Sequence, residues 1–163
     1  MRPFIGIIGP ESSGKTTLAR YLAARYNGVF VPEYAREYME NLHRPYTIDD
    51  VHAIAHHQIA HLDALCSDTE SATAPVFFDT ELIITKVWFE HKYGICPDYL
   101  SDALQRYPMT VYLLTYPDLE WIPDPVRENP DIRLELFQRY EAEIQALDIP
   151  YYIIRHTAHA EED

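Results

Sequence analysis

Two hydrophobic rhythms alternate along this chain. Short continuous apolar runs occur at Phe4–Ile8, at Val29–Glu33, at Pro75–Asp79, at Thr110–Thr115 and at Tyr151–Ile154. Runs of this length, rich in β-branched and aromatic residues, predict buried strands. Between them apolar positions recur every three or four residues. Leu18, Ala19, Leu22, Ala23 and Tyr26 mark one helix, and Val51, Ile54, Ala55, Ile59, Leu62 and Leu65 mark another. Further helices are predicted over 81–91, 98–105 and 134–147, the last through Phe137, Tyr140, Ile144 and Leu147, with a helical turn over 34–40. Thr47 precedes Asp50 at capping-box spacing. Strands separated by helices imply right-handed crossovers and a parallel sheet covered on both faces. The expected fold class is therefore α/β with a five-stranded parallel sheet. The second strand is expected beside the first, and Tyr151-Tyr152 in the core.

A length of 163 residues suits one domain, 1–163, around a single core. The formal net charge of -13 changes the picture more. Nucleic-acid binding needs clustered Lys and Arg, so this balance argues against it, while a local cationic pocket for a nucleotide stays open. No apolar run reaches the roughly 20 residues that span a bilayer, and no leader pattern opens the chain, so no membrane partner and a cytoplasmic location are expected. A homo-oligomer remains possible. Cys66 and Cys96 are far apart and form no metal or redox spacing. His52/His56 and His57/His61 have i,i+4 spacing without a supporting acid, which reads as a solvated helix flank.

The chemistry concentrates after the first strand. Residues Gly9-Pro10-Glu11-Ser12-Ser13-Gly14-Lys15-Thr16 fit GxxxxGK[ST] between a strand and a helix, the context in which that pattern cradles phosphate. Glycines let main-chain N–H groups turn inward, and the helix adds its positive end. Gly9, Glu11, Ser12, Ser13, Gly14, Lys15, Thr16 and Thr17 form the expected nucleotide-binding set, with ATP and Mg2+ as cofactors. Lys15 would reach the terminal phosphates, and Thr16 would offer its hydroxyl to Mg2+.

Ligands of open α/β sheets gather at the carboxyl ends of strands. Asp79 ends the third strand, where an acid can hold Mg2+ or its waters; a helix-capping role is the alternative. Glu81 suits either the same site or a first-turn charge. Glu33 ends the second strand and is the candidate to take the proton of an acceptor hydroxyl, with Asp79 its competitor. Arg36 could pair with Glu33 or hold substrate. Gln58 interrupts an apolar helix face and needs a partner, either a ligand or a backbone group. The proline-rich stretch within 117–133 carries Arg127 and Arg133, and it is placed where a lid would close them over phosphate.

Taken in order, GPESSGKTTLA, VPEYAREY, FFDTELIITK, EWIPDPVREN and LFQRYEAEI resemble the ribosylnicotinamide kinase domain of NadR-type proteins over about residues 3–155. The resemblance implies a P-loop, nucleoside-kinase-like fold with a lid. It implies transfer of the γ-phosphate of ATP to the 5′-hydroxyl of nicotinamide riboside, giving nicotinamide mononucleotide. By motif match, Gly14, Lys15 and Thr16 handle phosphate and Mg2+, and Arg127 and Arg133 meet the transferred phosphate. Glu33, Tyr34, Arg36, Gln58 and Asp79 form the substrate set, and Lys15, Glu33, Asp79 and Arg127 the catalytic one. Pro32 stands where the family carries an aromatic residue, and Glu81 where it carries Asp. The adenylyltransferase and DNA-binding domains of the multifunctional members have no counterpart in this sequence. A P-loop ATPase or switch acting on a protein partner is the competing expectation. A guanine-binding Asn-Lys-x-Asp run and a DExx run are both missing from it.

Overall fold

The structure, a computed structural model, describes residues 2–67, 73–118 and 132–156. Arg127 and residues 119–131 of the expected lid lie outside the described residues. The elements run β1 (Phe4–Ile8), α1 (Lys15–Arg25), β2 (Val29–Val31), α2 (Tyr34–Glu40), α3 (Ile48–Ser67), β3 (Val76–Asp79), α4 (Leu82–Tyr93), α5 (Asp98–Arg106), β4 (Val111–Thr115), α6 (Arg133–Leu147) and β5 (Tyr151–Ile154). All strand pairs are parallel, and the sheet order is β2-β3-β1-β4-β5.

Alternation along β1 shows how the sheet is covered. Ile5 and Ile7 pack with Phe77, Ala19 and Ala23, so α1 covers one face. Phe4 and Ile8 pack into a second cluster that takes in residues of α3, α4, α5 and α6 on the other. Both faces are dry, so β1 reads as an unbroken apolar run rather than an alternating one. Burying each of Ile7, Ile54, Phe89 and Ile144, all fully enclosed, stabilises by about 1.5–3 kcal/mol.

Two expectations are corrected. β2 does not lie beside β1, because β3 pairs with both and sits between them. This insertion brings Asp79 next to β1 and leaves β2 at the sheet edge. β5 is the opposite edge, paired only with β4 among the described strands. Tyr152 is accordingly 65% exposed and is no core residue.

The capping box after residue 46 forms by half: Asp50 reaches back to residue 47, while its own N–H bonds the Thr47 carbonyl at 3.0 Å in place of the Thr47 hydroxyl. The carboxylate of Asp50 accepts from the Thr47 backbone N–H (2.7 Å), and it also receives Tyr38 Oη (2.6 Å) and two Arg44 nitrogens (2.8 and 2.9 Å). These donors hold its pKa far below the usual carboxylate range, the Arg44 bonds most of all. The clasp fixes the short segment between α2 and α3, which carries Tyr46.

Candidate active site

The phosphate loop joins β1 to α1. Ser12 (φ 58°) and Gly14 (φ 87°) both take left-handed backbone, the geometry that turns successive N–H groups to one side. Gly14 is the N-cap of α1 and supplies no side-chain acceptor, and the first turn carries no acid. The leading N–H groups of α1 are thus left for an anion. The loop is braced from below. Ser13 Oγ bonds both the Pro10 carbonyl and Thr115 Oγ1 at the end of β4. Gly9 admits that brace, since a Cβ there would lie 2.0 Å from Thr115 Oγ1. Lys15 Nζ donates to the carbonyls of Gly9 (2.8 Å) and Pro10 (3.0 Å), poised at the mouth of the loop. Arg133, the first residue of α6, reaches the Ser12 carbonyl at 3.5 Å.

Thr16 Oγ1 donates to Asp79 Oδ2 at 2.6 Å, which joins the loop to the end of β3. The second oxygen, Asp79 Oδ1, is buried with no partner among the described residues. A hydroxyl and a carboxylate side by side, with one oxygen unsatisfied, suit a hard oxygen-seeking cation such as Mg2+. Burial pushes the Asp79 carboxyl above its ordinary value, against the pull of the Thr16 bond and Lys15.

A cavity of about 330 Å³ opens beside the loop. It is lined by Gly9, Glu11 and Lys15 of the loop, by Glu33 and Arg36 of the α2 region, and by Tyr46, Trp88 and Lys92. The Tyr46 and Trp88 rings meet edge to face at 5.3 Å, Trp88 Nε1 donates to Tyr46 Oη at 3.3 Å, and the Lys92 ammonium lies 5.2 Å from the Tyr46 ring centre. Glu33 begins α2 without capping it. Burial raises the Glu33 pKa above the ordinary glutamate value, Lys15 lowers it and Asp79 raises it further.

The family of AAA domains matches residues 4–162 of the chain. The chain belongs to this family. The trifunctional NAD biosynthesis/regulator protein NadR of Salmonella typhimurium is 26% identical to it over 137 residues, 78% of this chain and 32% of NadR. NadR of Escherichia coli K12 matches to the same extent. The chain thus spans about a third of the length of these relatives. A solved NadR protein in complex with NR superposes with a TM-score of 0.72 at 25% identity, over 99% of this chain and 47% of that one. Thymidylate kinase from Ehrlichia chaffeensis superposes at 0.67 with 15% identity, over 99% and 91%, a likeness of fold. The NadR-type resemblance carried by the ordered motifs holds, and the fold is that of the P-loop nucleoside and nucleotide kinases.

Within this AAA domain the expected site residues divide in two. Gly9, Glu11, Lys15, Glu33 and Arg36 line the one cavity, and Thr16 and Asp79 bond each other where the loop meets the end of β3. Arg36 also forms an i,i+4 ion pair with Glu40 at 3.8 Å. Ser13 is 1% exposed, and its side chain serves the loop from within. Tyr34 and Gln58 are placed apart. Both line a second cavity of about 110 Å³, where Tyr34 stacks on His57 at 3.5 Å. The partner that Gln58 required is a side chain, since Thr85 Oγ1 donates to Gln58 Oε1 at 2.6 Å. Neither Asp79 nor a first-turn charge begins α4. Glu81 is its N-cap, accepting from the Ile83 N–H at 2.7 Å and from Tyr112 Oη at 3.1 Å. Burial pushes the Glu81 carboxyl up to about 7. The histidines of α3 lie mostly on a solvated flank, with His56, His57 and His61 exposed; His52 is half-buried and its Nδ1 bonds Tyr99 Oη at 2.6 Å, the ring on which His56 stacks.

Sequence reasoning missed Tyr46, Trp88 and Lys92. The signal was a line on α4: Ile84, Thr85, Trp88, His91 and Lys92 recur at helical spacing and mix polar with apolar residues, as a cavity wall does. Thr80 was also missed. It takes φ 75°, a left-handed backbone that costs a β-branched residue about 1–3 kcal/mol.

Proposed function

We propose that this domain is an Mg2+- and ATP-dependent kinase that phosphorylates a nucleoside hydroxyl, with the 5′-hydroxyl of nicotinamide riboside as the favoured acceptor. The observation that carries the reading is that one cavity is lined by Gly9 and Lys15 of the loop, by Glu33 and by the Tyr46–Trp88 ring pair. It brings together a phosphate grip, an acid and an aromatic surface, as a sugar that carries a ring requires. Its volume lies within the roughly 300–1,000 Å³ typical of small-ligand pockets. NadR, the relative solved with NR, gives the acceptor its name, as does the ordered motif set.

Roles follow from placement. The loop N–H groups and Lys15 would hold the β- and γ-phosphates. Thr16 and Asp79 would hold Mg2+, which supplies charge neutralisation on the phosphoryl oxygens when bound. Glu33 is assigned the acceptor proton over Asp79, because Glu33 lines the cavity while Asp79 is bonded to Thr16 at the cation end. The raised Glu33 pKa makes its carboxylate a stronger proton acceptor than a solvated one. The Glu33 carboxylate in the cavity disfavours an acceptor that already bears a phosphate, which selects nucleoside over nucleotide. Arg36 would orient the sugar. Arg127 and Arg133 would meet the transferred phosphate, Arg133 from the end of α6 beside Ser12.

The test is incubation with Mg-ATP and a panel of nucleosides that includes nicotinamide riboside, with mass detection of a monophosphate. ATP consumption that ignores every nucleoside, with no phosphorylated product, removes the kinase reading. The aromatic wall has its own consequence. Trp88→Ala is expected to raise KM for the nucleoside about 5- to 150-fold, the range of one stacked base, with KM for ATP unchanged. Steady-state kinetics in both substrates checks this, and equal rises in the two KM values would dissociate Trp88 from the acceptor.

A further inference from the structure

Thr80 stands out between the two cavities. It is 7% exposed, and its hydroxyl is buried with no hydrogen-bond partner among the described residues. Its backbone is held, because the Thr80 N–H donates to the Ile7 carbonyl at 3.0 Å and so continues the β1–β3 ladder. The residue lines the main cavity with Lys15 and Glu33 and also lines the second cavity with Gln58 and Glu81. Its neighbours on either side have other work, Asp79 with Thr16 and Glu81 with Ile83 and Tyr112.

A buried hydroxyl without a partner forfeits the hydrogen bonds that water would give it. Side chains left in that condition are uncommon, and a site that needs a donor is one cause. Among the described residues no hydrogen bond holds Thr80 Oγ1 where it is. A turn about χ1 would therefore re-aim the hydroxyl without breaking one of these bonds. The left-handed backbone is retained although glycine would relieve it, and glycine would remove the hydroxyl too. We infer that Thr80 is an acceptor-binding residue: its hydroxyl bonds a sugar hydroxyl of the nucleoside, adjacent to the hydroxyl that receives the phosphate. This rests on the nucleoside-kinase reading and adds to it a determinant for ribose over deoxyribose.

Thr80→Val keeps the shape and the branch and removes the hydroxyl; Thr80→Ser keeps the hydroxyl. Each would be measured with nicotinamide riboside, or with whichever panel nucleoside gives a monophosphate, and with its 2′-deoxy and 3′-deoxy forms. Thr80→Val is expected to lower kcat/KM for the nucleoside about tenfold and to leave KM for ATP unchanged. Thr80→Ser is expected to retain most of the wild-type value. One of the deoxy forms should already be poor for the wild type and lose nothing further in Thr80→Val. The thermal midpoint of Thr80→Val should be no lower than that of the wild type, since no bond in the protein is lost. Unchanged nucleoside kinetics in Thr80→Val would overturn the assignment. So would a rise in KM for ATP of the same size, or a fall in thermal midpoint, either of which places the hydroxyl elsewhere. If the wild type phosphorylates no panel nucleoside, the kinase reading itself fails and the role of Thr80 falls with it.

Discussion

Lys15→Ala is expected to cut phosphoryl transfer by at least about 10²–10³-fold while the thermal midpoint stays where it is. The catalytic loss follows from where the ammonium can go. Its bonds to the Gly9 and Pro10 carbonyls hold it at the loop mouth, and a terminal phosphate there offers charged oxygens in place of neutral ones. The stability result follows from what braces the loop. That work belongs to Ser13, the Pro10 carbonyl and Thr115, all of which the variant keeps. A second effect comes with the first. Lys15 lowers the pKa of both Glu33 and Asp79, so its removal leaves both acids more readily protonated. Any residual activity should therefore need a higher pH than the wild type. A coupled ATP-turnover assay with a melting curve on the same sample decides the matter, and near-normal turnover would take Lys15 out of the mechanism.

Glu33→Gln should lower turnover about 10²–10⁴-fold with ATP affinity intact, the range of a positioned general base. Glutamine keeps the size and loses the proton acceptor. The pH dependence carries the sharper information. A base works deprotonated, so the rate should rise with pH through the Glu33 pKa, and burial sets that inflection above the ordinary carboxylate range. In Glu33→Gln the inflection should vanish and leave a flat, low rate. Asp79→Asn provides the contrast. If the inflection disappears there and survives in Glu33→Gln, the proton goes to Asp79 and the assignment reverses.

Much of this site could be read from the chain because its signals are local. The phosphate loop needs glycine at fixed offsets, and the limits of β1 and β5 coincide with apolar runs. Asp79 and Glu33 were placed by the rule that ligands collect at strand ends. What could not be read was pairing. Nothing in Val29–Val31 states that β3, 45 residues or more further on, will pair with it and separate it from β1. Tyr152 looks like Ile8 to a periodicity argument, yet an edge strand leaves it in solvent. Gln58 announced a need for a partner, and only the packing of α3 on α4 shows that Thr85 meets it. The Tyr46–Trp88 wall joins residues 42 positions apart and could be recognised only once Asp50 had clamped the segment that carries Tyr46.

The seating of β3 between β2 and β1 has a further consequence. The two candidate acids hang from different elements, Asp79 from the end of β3 and Glu33 from the start of α2, so either can be altered while the other keeps its scaffold. On the proposed kinase reading, a domain silenced only at Asp79 is expected to remain a receptor for its nucleoside, and the identity of that molecule could then be established by binding, with turnover out of the question.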